Sequence, residues 1–291
     1  MARIQNKYRR IDMNINNRSR YIETNSVTQA TVVHPDGSVE ACESDIVLEH
    51  NMNIYINGQL ALRLVCTPND LAELVVGRLI SGGYIHSLDE VETLSICEYG
   101  RDARVFLKSA GSGCASPDGQ SNSLVITAAA EEPTCCTDNR VIMAPRPDGA
   151  PVLPLSKADY RPEWIFELAA AFKRDSKIHS RTAGTHSCYL ASRGEILYSA
   201  EDIGRHNALD KAVGAAALRG IPMKDCMLFT TGRVPADMAR KAITAGVPVL
   251  VSKSVPTNAA IELAREYDLT LICRAWPDSY EIFNDQYSKC K

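Results

Sequence analysis

The stretch Cys226-Met-Leu-Phe-Thr-Thr-Gly-Arg-Val-Pro-Ala-Asp-Met-Ala-Arg-Lys-Ala-Ile-Thr-Ala-Gly-Val-Pro-Val-Leu-Val-Ser-Lys-Ser254 alternates two periods within a single sentence of sequence. Cys226–Thr231 and Val247–Ser252 are short apolar runs, long enough for strands and too short for helices. Between them Pro235–Ala245 reads as a helix, with Pro at its start. The pattern continues with a helix over Thr257–Tyr267 and a strand over Leu269–Cys273. Near-continuous apolar strands joined by helices imply parallel pairing in a sheet covered on both faces, a three-layer αβα sandwich of the α/β class. Ligands of such sheets bind beyond the carboxyl ends of the strands. That rule points at Thr231-Gly-Arg233 and Ser252-Lys-Ser254.

Working outward, Cys188–Ala191 and Ile196–Ser199 read as two more strands, followed by a helix from Ala208 to Leu218. Pro162 opens a helix that sets Trp164, Ile165, Leu168, Ala169 and Phe172 on one face. The N-terminal half reads as a smaller α+β lobe. Val32-Val33 and Ile46–Leu48 flank the turn sequence His34-Pro-Asp-Gly37, and Ile54–Leu64 continues in mixed alternation. Thr67-Pro-Asn-Asp70 predicts a helix start with Thr67 as cap, an apolar face of Leu71, Leu74, Val75 and Leu79, and a stop at Gly82-Gly83. Strands are expected around 91–97 and 104–107. From Ser109 to Pro154 Gly, Ser, Pro, Asp and Asn dominate, a loop length that usually marks either function or disorder. The expected organisation is a basic flexible tail over 1–26, the α+β lobe over 27–150 ending in a cysteine-bearing loop, and the αβα domain over 151–291.

The 291 residues carry a formal net charge of −3, without the basic footprint of a nucleic-acid binder. No apolar run approaches the roughly 18 residues of a membrane helix, and no apolar core follows the basic N-terminus as a signal peptide would require. A cytoplasmic protein is expected. Of the ten cysteines, Cys42, Cys66, Cys97, Cys188, Cys226 and Cys273 lie scattered, mostly in apolar segments where a reduced thiol packs as a small hydrophobe. No C-x-x-C pair occurs, which counts against a structural zinc site. Cys114 and the vicinal pair Cys135-Cys136 stand in polar, loop-like surroundings and are the thiols to explain.

The densest chemistry is Glu201-Asp-Ile-Gly-Arg-His-Asn207, running into Ala208-Leu-Asp-Lys-Ala-Val-Gly214. Gly204 would permit a tight turn. The helix N-terminus offers unpaired N–H groups, and Arg205 and His206 could add charge for an anion. Alternatively Asp202 and Asn207 cap the helix and Arg205 is solvated. Arg181-Thr-Ala-Gly-Thr-His186-Ser-Cys188 could hold an active-site imidazole, or His186 could be structural. Thr230-Thr-Gly-Arg233 and Ser252-Lys-Ser-Val-Pro-Thr257 each set a basic residue and hydroxyls after a buried strand, and neither is a Walker loop.

In order and spacing, Gly184-x-His186, the 201–211 segment, Thr231-Gly-Arg233, Lys241-Ala-Ile-Thr-Ala-Gly-Val-Pro248, Ser252–Thr257 and Leu269-Thr-Leu271 resemble the formate dehydrogenase accessory protein family, FdhD. The resemblance is close over 181–273, looser over Val65–Gly83 and poor over 100–155. It implies a cytidine-deaminase-like C-terminal half and a sulfurtransferase role. In the family, a loop cysteine takes sulfur as a persulfide from a cysteine desulfurase. It passes that sulfur to the molybdenum bis(pyranopterin guanine dinucleotide) cofactor used by formate dehydrogenase. The implied carriers here are Cys136 and Cys135, with Cys114 an outsider. The implied cofactor-binding residues are His186, Asp202, Gly204, Arg205, His206, Asn207, Thr231, Gly232, Arg233, Ser252, Lys253 and Ser254. A ring of Arg205, Arg233 and Lys253 suits the phosphates of a guanine-nucleotide cargo, and Arg205, His206, Arg233 and Lys253 are expected to converge on one pocket. A homodimer is left open.

The family's sulfur loop usually reads C-G-x-C-G, whereas this chain has Thr134-Cys-Cys-Thr137. That departure keeps a second reading alive, a non-catalytic chaperone of the molybdenum cofactor. A zinc deaminase is disfavoured, because His186-Ser-Cys188 lacks the H-x-E glutamate and no P-C-x-x-C follows; no catalytic zinc is expected.

Overall fold

The structure, a computed structural model, describes residues 14–19, 22–108, 139–143, 154–157 and 159–285. The N-terminal half supplies β1 (Asn14–Asn17), β2 (Asn25–Val33), β3 (Val39–Val47), β4 (His50–Ile56), β5 (Gln59–Cys66), α1 (Leu71–Ser81), β6 (Val91–Ile96), β7 (Asp102–Leu107) and β8 (Arg140–Val141). The C-terminal half supplies α2 (Pro162–Asp175), α3 (Lys177–Thr182), β9 (His186–Ser192), β10 (Glu195–Asp202), α4 (Arg205–Leu218), β11 (Met227–Thr230), α5 (Ala236–Thr244), β12 (Val249–Ser252), α6 (Asn258–Glu266), β13 (Thr270–Cys273) and β14 (Glu281–Asn284).

Six strands form one sheet in the order β1-β6-β7-β4-β5-β8, six form a second in the order β10-β9-β11-β12-β13-β14, and β2 and β3 make a separate two-stranded ribbon. In the second sheet β11, β12 and β13 are parallel, as their alternation with helices requires. The sheet is nevertheless mixed: β9 and β10 form a hairpin, and β9 meets β11 antiparallel. The tight reversal at Arg193-Gly194, both with positive φ, makes that hairpin. One face of the sheet receives Ile165, Leu168 and Ala169 of α2 against Tyr189, Phe229, Val251 and Ile272. The opposite face receives α4, α5 and α6.

Several sequence expectations change. Asn14–Asn17, assigned to the basic tail, pair in parallel with β6. Ile54–Leu64 is broken by Asn57-Gly58, both at positive φ, an Asn-Gly hairpin turn that the mixed alternation concealed. Thr67 does not cap α1: that helix begins after Asp70, which is left-handed at φ 50 and makes no side-chain cap. Thr67 is fully buried and bonded elsewhere. Nor does α1 have one apolar face, since every residue from Leu71 to Ser81 except Glu73 is buried. A helix buried all round belongs inside a core.

The reason lies in its neighbour. Helices α1 and α4 cross at Gly77 and Gly214 so closely that an added Cβ at Gly77 would lie 1.7 Å from the Asp210 carbonyl oxygen, and one at Gly214 1.9 Å from that of Glu73. One apolar cluster therefore runs from Ile54, Leu64 and Val105 of the first sheet, through Leu74 and Val75 of α1 and Ala208 and Val213 of α4, to Leu190 and Leu228 of the second. The core crosses the boundary drawn at residue 150, which itself falls outside the described residues.

The glycine crossing gives a direct expectation. Gly214→Ala gains helix propensity of about 1 kcal/mol but forces backbone against backbone, and overpacking of that kind costs about 3 kcal/mol at its upper range. Urea unfolding should show net destabilisation of about 2 kcal/mol or more, against roughly 1 kcal/mol for Gly37→Ala, whose added Cβ meets nothing within 4 Å.

Candidate functional site

Strand register gathers the conspicuous motifs at one end of the second sheet. His186 pairs with Asp202 across β9 and β10, and Thr230 pairs with Cys188 on one side and Ser252 on the other. Side chains then stitch the loops together. The Thr231 hydroxyl oxygen accepts from the Ser187 amide at 3.0 Å and lies 3.4 Å from His186 Nδ1. Ser252 donates to the Gly232 carbonyl at 2.7 Å while accepting from the Ser254 amide at 2.9 Å. Gly232 is glycine because a Cβ there would lie 2.8 Å from Cβ and 2.9 Å from Cδ of Arg205, whose stem crosses it. His186, Arg205, Thr231, Gly232, Ser252, Lys253 and Ser254 thus occupy one rim.

The rim residues do not share one role. Helix α4 begins at Arg205 rather than at Ala208, so Arg205, His206 and Asn207 form its first turn. Gly204 is its N-cap at φ −100, in extended backbone. His206 is buried and turned to α5, where Nε2 meets Asp237 Oδ2 at 2.7 Å. Burial alone would raise the Asp237 pKa, but the His206 hydrogen bond and charge, the Met238 amide and Arg205 together hold it below the usual carboxylate value. Arg233 is exposed, and Lys253 stands 4.7 Å over the Trp276 ring.

Asp202 and Asn207 face inward. Asp202 accepts from the Gly204 amide at 2.8 Å, Asn207 Nδ2 at 2.9 Å and the Thr67 amide at 3.0 Å, and pairs with Lys211 Nζ at 2.7 Å. Lys211 also donates to the carbonyls of Thr67 and Glu201, each at 3.0 Å, and to Asn69 Oδ1 at 2.9 Å. The Thr67 hydroxyl accepts from the Ile203 amide at 3.0 Å. Asn207 donates to the Val65 carbonyl at 2.8 Å and accepts from Asn139 Nδ2 at 2.9 Å, while Asn139 Oδ1 takes the Val65 amide at 2.8 Å. Glu201 accepts the Ile178 and His179 amides at 2.9 and 2.8 Å, closing the first turn of α3.

Cys114, Cys135 and Cys136 lie outside the described residues. Of the described thiols, Cys66, Cys188, Cys226 and Cys273 are buried, and burial pushes all four upward, Cys226 and Cys273 to about 12. They are therefore protonated packing groups at neutral pH and poor nucleophiles. Among the described residues no three His, Cys, Asp or Glu side chains gather as metal ligands, and no helix is long and apolar enough to cross a membrane.

The family model described as "FdhD/NarQ family" matches residues 47–288, from the end of β3 through the last strand. The chain belongs to the FdhD/NarQ family. Two relatives are named sulfur carrier protein FdhD. That of Listeria innocua is 31% identical, covering 81% of this chain and 88% of its own. That of Halalkalibacterium halodurans is 33% identical, covering 84% and 86%. A solved structure from Desulfotalea psychrophila, described as a formate dehydrogenase accessory protein, superposes with a TM-score of 0.71 over 91% of this chain and 99% of that one. At 22% identity this is a likeness of fold.

Sequence reading of this FdhD/NarQ chain missed Thr67, Asn139, Lys211 and Asp237. A readable signal existed for Lys211: a charged Asp210-Lys211 pair inside an otherwise small and apolar helix has to find buried partners. Asn139, an isolated polar residue in a polar tract, gave none.

Half-burial is the main cause that lowers the His186 pKa from its ordinary 6.5, with Arg205 next and then His179; the Asp202 charge opposes them. A depressed folded-state value means that this group's stability contribution is complete above the unfolded pKa and lost as pH falls towards the folded one. The same surroundings favour the neutral imidazole of His186. Titration followed by NMR should place its midpoint below 6.5, and Arg205→Gln should move it partway back. A midpoint indifferent to Arg205 would remove the guanidinium from the imidazole's surroundings.

Proposed function

We propose that this chain is a cytoplasmic sulfurtransferase that carries sulfur from a cysteine desulfurase to the molybdenum bis(pyranopterin guanine dinucleotide) cofactor used by formate dehydrogenase. The relatives' name supports the carrier role. The observation that carries it is the anchoring of Asn139. This residue stands three positions after Cys136, and its amide bridges Val65 to Asn207 in the first turn of α4. Asn139, the first described residue after the vicinal cysteines, is thereby tied to the helix turn that begins with Arg205.

In this reading Cys136 or Cys135 attacks the outer sulfur of the desulfurase persulfide as a thiolate. A new S–S bond forms, the old one breaks, and the desulfurase cysteine departs as its thiolate. The exposed guanidinium of Arg233, with Arg205 and Lys253, suits the phosphates of the dinucleotide, and neutral His186 could accept or donate one hydrogen bond. The second sheet's order β10-β9-β11-β12-β13, with helices on both faces, supports a cytidine-deaminase-like reading of this half. A non-catalytic cofactor chaperone is the second reading, favoured by Thr134-Cys-Cys-Thr137, which lacks two spaced thiols.

Incubation with a desulfurase and cysteine should add one sulfur to the wild-type chain, read by intact mass. Cys135→Ala/Cys136→Ala should abolish that gain and dehydrogenase activation together, and still bind GDP in calorimetry. Full activation by the double variant would overturn the carrier role; GDP binding without any sulfur loading in wild type would favour the chaperone.

A further inference from the structure

The three parallel strands of the second sheet end side by side, so the residues that follow them share one edge. After β11 come Thr231, Gly232 and Arg233, and after β12 come Lys253 and Ser254. Hydrogen bonds continue the sheet beyond the strands. The Lys253 amide donates to the Thr230 carbonyl at 3.0 Å, and the Ala275 amide to the Ser252 carbonyl at 3.0 Å. The Arg274 amide donates to the Ser254 carbonyl at 2.8 Å. The chain leaving β13 is thereby laid against the loop that carries Lys253.

Trp276 is the side chain that this arrangement presents. Arg274 takes a left-handed φ of 47, which turns the chain out of β13, and Ala275 is buried. The Trp276 amide then donates to the Ser279 carbonyl at 2.7 Å, closing a turn. The backbone on both sides of the indole is therefore held. Lys253 Nζ stands 4.7 Å from the centre of the ring, yet Trp276 is 45% exposed. With the ammonium over one face, the opposite face and the ring edge account for that exposure. Among side chains indole has the strongest π face for a cation, and flat rings stack on the same surface.

Adjacent strands lie about 4.8 Å apart, so the ends of β11 and β13 are separated by about 10 Å across β12. Along that span the edge offers a guanidinium and hydroxyls first, an ammonium next and an aromatic face last. Inorganic phosphate would use only the charged end, and an uncharged aromatic only the ring. A nucleoside diphosphate matches both, with its sugar bridging the gap. We infer that Trp276 is the base-stacking residue of the rim, holding the purine of a nucleoside diphosphate whose phosphates lie towards Arg233 and Thr231. This deepens, and rests on, the proposed reading of the rim as the site of a nucleotide-containing cargo. Every base has a π face, so Trp276 selects a nucleotide over free phosphate rather than one purine over another.

Calorimetry of the full chain with GDP, ADP and inorganic pyrophosphate tests the assignment. Trp276→Ala should weaken GDP and ADP about tenfold to hundredfold, the loss expected of one stacked base, and leave pyrophosphate within about twofold. Trp276→Phe, which keeps a smaller ring, should recover part of the loss. Fluorescence gives a second readout, because the chain has two tryptophans, Trp164 and Trp276. GDP should quench the emission of Trp164→Phe and not that of Trp276→Phe. Trp276→Ala removes an exposed side chain and should keep the wild-type unfolding midpoint. Equal GDP affinity in wild type and Trp276→Ala, or an equal loss for GDP and pyrophosphate, would overturn the stacking role and leave the cargo reading standing. Failure of wild type to bind GDP would overturn the cargo reading and the stacking role together. Neither outcome touches sulfur loading.

Discussion

The Lys211 ammonium is the constraint on which the rest of the structure depends. It sits in α4 with no solvent exposure, facing Asp202 at 2.7 Å and three further oxygens at 2.9–3.0 Å. Removing a charge from water costs several kcal/mol, and only a complete partner set offsets that cost. The partners come from two places: Asp202 and Glu201 from the end of β10, and Thr67 and Asn69 from the turn before α1. Neither half of the chain can satisfy Lys211 alone. The charge therefore fixes the position of one half on the other as well as the start of α4.

A second buried ion cluster acts on the other side of the same helix. Asp210, adjacent to Lys211 and so turned about 100° around the helix, accepts from Lys241 Nζ at 3.0 and 2.9 Å and from the Ser81 hydroxyl, with Arg78 at 4.0 Å. Helix α4 is thus clamped to β10 and the Thr67 turn by one charge and to α1 and α5 by the other. Gly77 and Gly214 set the closeness of the approach between them. This explains why α4 is buried along nearly its whole length without an amphipathic stripe.

That arrangement decides what could be read from sequence. The parallel strands β11, β12 and β13 were legible because their apolar runs are short, punctuated and buried on both faces. The start of α4 was not. Gly204-Arg-His-Asn207 looks like a polar loop, yet His206 and Asn207 reach partners on α5, β5 and the Asn139 segment. Thr67 fails as a cap for the same reason: capping patterns are local, and its hydroxyl serves Ile203. Of the site, the motifs gave the rim residues Arg205, Thr231, Gly232 and Ser252 but not their division of labour. Asp202 and Asn207 hold the fold, and His206 holds Asp237. The cysteines singled out by sequence fall outside the described residues, and Asn139, three positions after Cys136, is the described residue nearest to them.

Lys211 and Asn139 belong to one network, joined through Asp202 and Asn207. A double-mutant cycle of Lys211→Met and Asn139→Ala, by urea unfolding, tests it most directly. Residues within one hydrogen-bonded network couple by roughly 0.5–3 kcal/mol, whereas independent sites add to within about 0.3–0.5 kcal/mol. Coupling of at least about 1 kcal/mol is predicted, the loss of Lys211 having already loosened the Asn207 anchor. Simple additivity would contradict it and leave Asn139 energetically separate from the charge that joins the two halves.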